Sequence, residues 1–148
     1  MSLAQPPLHG LNLYVRDMKA TVAFYRLVGL EIDDSQPWSA HHIEVKQPNG
    51  PSIEFDSYEM TASFDTGWQV PIGPSHLVMT FSMATREAVD EMHERMTAAG
   101  YKSRLAPIDA FWGARYAIVD DPDGNNVGFM SPTEDAYRTA PPPFARPE

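Results

Sequence analysis

The chain contains the same stretch of sequence twice. Residues 38–57 align without a gap against residues 112–131, and seven of the twenty positions are identical: Trp, Ala, Val, Pro, Gly, Phe and Ser. Upstream, residues 10–17 and 76–83 share one alternation of apolar and polar side chains. A unit of this size cannot bury its own sheet face, so the repeat requires two copies that pack. Within 148 residues there is room for the two copies, as modules over 8–57 and 75–131, and for a Pro-rich tail over 132–148.

Each copy carries the same punctuation. Leu11, Leu13 and Val15 alternate with Gly10, Asn12 and Tyr14, as in a strand with one face against a helix. Asp17 is suited to cap a helix over 18–28, in which Val22, Tyr25 and Val28 recur at helical spacing and Gly29 supplies the stop. Strands are expected over 31–34, 39–46 and 52–57, the last two joined across Pro48, Asn49 and Gly50. In the second copy a strand over 75–83 leads to a helix capped by Thr85 and ended by Gly100. Strands over 102–105, 114–119 and 126–130 follow, with the turn 121–124 between the last pair. The expected fold is therefore α+β: two β-α-β-β-β modules in a curved, barrel-like mixed sheet around a groove. The connector 58–74 is long for a plain loop and is expected to line that groove or to carry an extra turn.

Composition removes several functions. A formal charge of −9, with 11 basic against 20 acidic residues, disfavours a broad basic face for nucleic acid or anionic membrane. The absence of cysteine excludes disulfides, thiolate catalysis and Cys-zinc sites. No apolar run is long enough to span a bilayer, and residues 1–7 show no basic-then-apolar pattern, so the expected location is cytoplasmic. Neither a glycine-rich phosphate loop nor a nucleophile elbow appears.

The paired plan, together with Phe24-Tyr25, Gly29-Leu30 and the Asp-Pro-Asp-Gly turn at 121–124, resembles the glyoxalase/bleomycin-resistance/extradiol-dioxygenase group, the vicinal oxygen chelate superfamily. The resemblance covers residues 8–131. It implies four metal-ligand positions, one on the first and one on the last strand of each module. Carried onto this chain, these fall at Gly10, Glu54, His76 and Gly128. Two glycines cannot ligate, which leaves Glu54 and His76 as residual ligand positions and frees volume at Gly10 and Gly128. His9 is the wrong strand parity to replace Gly10. No cofactor is expected on this reading, a divalent metal being the alternative.

Strand parity sets His42, Glu44, Glu54 and Asp56 on one acidic wall. The repeat mates Trp38 and Trp112, with Tyr14 and Tyr116, offer rings for flat or cationic molecules. The ligand-contacting set is thus Tyr14, Trp38, His42, Glu54, His76, Trp112 and Tyr116, with Glu54 as the candidate catalytic residue. The function expected is metal-independent binding of a small aromatic or cationic molecule, as in the bleomycin-resistance branch. The alternative is a metal-dependent lyase, isomerase or dioxygenase using Glu54 and His76. The resemblance also implies a homodimer.

Overall fold

A computed structural model describes residues 5–144; residues 145–148 of the tail lie outside the described residues. The chain divides into two compact units, one ending at Ile72 and the other beginning at Gly73. Both are mixed α+β.

The first unit runs β1 (Gly10–Val15), α1 (Met18–Val28), β2 (His42–Val45), β3 (Ser52–Ser57) and α2 (Tyr58–Phe64). Its three-stranded sheet has the order β1-β3-β2, with β1 parallel and β2 antiparallel to β3. Odd-numbered residues Leu13, Val15, Ile43, Val45, Ile53 and Phe55 are buried. They share a core with α1, where the Tyr25 and Phe55 rings lie 5.0 Å apart. Helix α1 begins where Asp17 accepts a hydrogen bond from the Ala20 amide and stops at Gly29, whose φ of 117° is open to glycine without strain.

The expected strand over 31–34 does not form. Arg26 donates to the Ile32 carbonyl at 2.7 Å and to Asp34 at 2.9 Å, while Asp33 accepts from the Ser35 amide and hydroxyl. These local bonds occupy groups that a ladder would need. The strand expected over 39–46 is reduced to β2, because 36–41 form a turn in which the Trp38 carbonyl accepts from the His41 and His42 amides. The extra turn in the connector is present as α2, capped by the Ser57 hydroxyl.

The second unit runs β4 (Val78–Ser82), α3 (Arg86–Ala98), β5 (Ser103–Asp109), β6 (Arg115–Asp120), β7 (Asn126–Met130) and a short 3-10 turn, Asp135–Tyr137. The sheet order is β4-β7-β6-β5, with β4 parallel to β7 and the other pairs antiparallel. Val89, Met92 and Met96 of α3 are buried together with Ala117, Val119, Val127 and Phe129 of the sheet. Among the described residues, no helix is long and apolar enough to cross a membrane.

Candidate functional site

Even-numbered residues of the first sheet point away from its core, and the ladder fixes which of them meet. Asn12 stands opposite Glu54, Glu44 opposite Glu54, and His42 opposite Asp56. Asp56 is only 3% exposed. A carboxylate so deeply buried needs partners, and it has two. Asn12 Nδ2 donates to Oδ2 at 2.8 Å, and His42 Nδ1 donates to Oδ1 at 2.7 Å. Because an ionised carboxylate can only accept, the His42 proton is placed on Nδ1, which leaves the Nε2 lone pair outward. Nε2 lies 3.9 Å from Glu54 Oε1, too far for a hydrogen bond. Glu54 and His42 are therefore two acceptors side by side. Ser52 donates to Glu44 beside them at 2.8 Å.

Next to this network, where Tyr14 stands opposite Asp56, is an aromatic cluster that joins the expected Tyr14 to Trp68 and Tyr58, two residues the sequence did not single out. Tyr14 meets the edge of Trp68 at 5.7 Å, Tyr58 meets Trp68 at 5.0 Å, and Arg16 lies over the Tyr58 ring. The Trp68 Nε1 donor is buried without an acceptor. Its one sequence signal was its place in the connector expected to line a groove. Asn12 was passed over because a strand asparagine has no distinctive spacing. A separate cleft of about 830 Å3 opens at the start of α1, where His41 Nδ1 and the Ser57 hydroxyl are 2.9 Å apart. Arg16, Lys19, Asp34 and Glu59 all line it, so it carries no single charge character.

The second unit has the same backbone with different chemistry. Its ladder sets Tyr116 opposite Met130 where the first has His42 opposite Asp56, and Gly128 where the first has Glu54. Trp112 packs edgewise on Tyr116 at 5.8 Å. The volume expected at Gly128 is not free: a Cβ there would stand 2.8 Å from Thr80 Oγ1 and 3.0 Å from the Tyr116 ring. At Gly10 a Cβ would come within 2.9 Å of the Glu54 carboxylate. Arg115 faces the helix side, bound to Asp90 at 2.9 Å and Asp109 at 3.1 Å, and the Asp90 hydrogen bond first of all raises its pKa.

Two further expectations change. His76 lies exposed, two residues before β4, and is not the mate of Gly10. Gly10 opposes Ser52 and Val78 opposes Asn126, so Val78 is the mate. The capping residues agree, since Asp17 and Thr85 each follow these positions by the same seven residues. Trp38 is 57% exposed in the 36–41 turn and, unlike Trp112, stands in solvent.

The ligand positions thus read Gly10, Glu54, Val78 and Gly128, with one donor among them. Among the described residues no group of three His, Asp or Glu could hold a metal ion. The donors present do not suit a divalent cation, which needs three or more fixed ligands.

A sequence profile described as the Glyoxalase/Bleomycin resistance protein/Dioxygenase superfamily matches residues 8–129. The chain is 26% identical over 139 residues to the uncharacterized protein YqjT of Bacillus subtilis (strain 168), covering 85% of this chain and 99% of that protein. A glyoxalase/bleomycin resistance protein/dioxygenase family enzyme from Burkholderia phytofirmans PsJN superposes with a TM-score of 0.73 at 24% identity, over 85% of this chain and 98% of the other. Lactoylglutathione lyase from Agrobacterium tumefaciens does so with a TM-score of 0.64 at 22% identity, over 86% and 96%. At such identities these structures speak to fold alone.

Proposed function

The chain belongs to the Glyoxalase/Bleomycin resistance protein/Dioxygenase superfamily, and from that footing we propose that it binds a small aromatic cation without a metal. One observation carries the reading: three of the four positions that ligate metal in metal-using relatives hold Gly10, Val78 and Gly128 here. The imidazole that a metal-dependent lyase would have drawn from His76 stands outside the strand.

What the first unit offers instead is a pair of hydrogen-bond acceptors backed by negative charge. Asp56 holds the His42 ring in one tautomer, which leaves Nε2 and the Glu54 carboxylate as neighbouring acceptors 3.9 Å apart. A protonated nitrogen with two N–H groups, seated to one side of this 3.9 Å pair and within reach of both atoms, donates one hydrogen to each, a charge-assisted arrangement stronger than a neutral one. Tyr14 and Trp68 supply ring faces and edges for the flat part of the same molecule.

Calorimetric titration with benzamidine, a flat cation with N–H donors, tests this, with benzoate as the control. Benzamidine is expected to bind and benzoate not to. Glu54→Gln and Asp56→Asn are each expected to weaken binding by about tenfold, the loss of one charge-assisted contact. Dialysis against EDTA is expected to leave the affinity unchanged. Benzoate binding as well as benzamidine does, or affinity that vanishes with EDTA and returns with a divalent metal, would sink the proposal.

A further inference from the structure

Arg86 is the least expected residue of the second unit. It opens α3, where the partial positive charge of the helix end disfavours a cation. Yet its side chain is only 11% exposed, and a buried cation requires compensation. Its partners come from three separate segments. Nη1 donates to the Gly113 carbonyl at 3.0 Å, Nη2 pairs with Asp109 at the end of β5, and the guanidinium lies 3.6 Å from the centre of the Tyr137 ring.

The C-terminal segment grips the same turn. The Glu134 amide donates to the Gly113 carbonyl at 3.0 Å, and the Thr139 amide donates to the Phe111 carbonyl at 3.0 Å. Gly113 has φ of 98°, and a Cβ there would lie 2.7 Å from the Glu134 carbonyl oxygen, so the two backbones touch where only glycine fits. The residue between the two anchored carbonyls is Trp112. Its ring packs against Phe111 at 5.2 Å and Tyr116 at 5.8 Å. In the first unit the residue matching Arg86 is Met18, which also directly follows its helix cap, and there Trp38 is 57% exposed.

We infer that Arg86, Tyr137 and the backbone of 134–139 form a strap that sets the position of Trp112. Arg86 is thus a positioning residue for that ring.

The test uses the full chain carrying Trp38→Phe and Trp68→Phe, which leaves Trp112 as the single tryptophan. Adding Tyr137→Ala, at an exposed residue whose loss spares the core, is expected to raise acrylamide quenching of Trp112 about twofold and to red-shift its emission, the loss of one cation–π contact. Far-UV circular dichroism is expected to stay the same. Arg86→Lys keeps the charge but not the planar fork, and is expected to fall between parent and Tyr137→Ala. Quenching of Trp112 that is unmoved by Tyr137→Ala, or that rises only as helical signal is lost, would overturn the strap.

Discussion

At the scale of single residues, the differences between the two copies matter more than their likeness. Gly128 makes room for Tyr116 and Thr80 rather than for a ligand, so Gly128→Ala is expected to overpack the sheet face. Chemical denaturation should show a loss of about 1–3 kcal/mol. Gly113→Ala is expected to cost at least as much, since a positive φ and the Glu134 backbone both oppose a side chain. Asp109 accepts from Arg86 and then Arg115, and both hold its carboxyl below the usual carboxylate range. Its contribution is present above the unfolded-state pKa and is lost as pH falls through the lower folded value. NMR titration should find a midpoint below that of an unpaired aspartate, and Asp109→Asn should flatten the acid limb of the stability profile. The acidic wall of His42, Glu54 and Asp56 was legible from strand parity. The placement of His76 was not, because a slip of two residues preserves inward and outward alternation and so leaves no trace in the pattern. Only the Thr85 cap, counted back along the strand, marks Val78 as the matching position.

At the scale of elements, helices with a strong cap and stop were readable and short elements were not. Asp17 with Gly29 delimited α1, and Thr85 with Gly100 delimited α3, because each supplies bonds that the helix ends otherwise lack. Thr85→Ala is expected to lower stability by about 1 kcal/mol, read as a fall in Tm. Helix α2, seven residues long, is too short to display a period, and the length of the connector 58–74 was its only sign. The strand expected over 31–34 had suitable side chains, but Arg26 takes the Ile32 carbonyl and Asp33 holds the Ser35 amide in a local turn just beyond it. Arg26→Ala is expected to release the Ile32 carbonyl and to quicken proteolysis and amide exchange over 31–35, with exchange in β3 unchanged.

At the scale of the whole chain, the repeat, the capped helices and the Asp-Pro-Asp-Gly turn made the family legible, although the structural relatives compared share at most 24% identity. The reason is that a repeated supersecondary unit constrains spacing far more than residue identity. The C-terminal segment was less legible: its prolines excluded it from the sheet, but the backbone bonds to Phe111 and Gly113 depend on no side-chain pattern. With 20 acidic against 11 basic residues, the protein attracts cations before any contact forms. Benzamidine affinity is therefore expected to fall several-fold from about 0.01 to about 0.5 M salt as screening shortens that reach. His42 and Asp56 in one copy answer to Tyr116 and Met130 in the other. A fold built from a repeated unit allows a division of labour: one half can take on new charges while its twin keeps the shape. Ligand preference can then evolve by editing a single half.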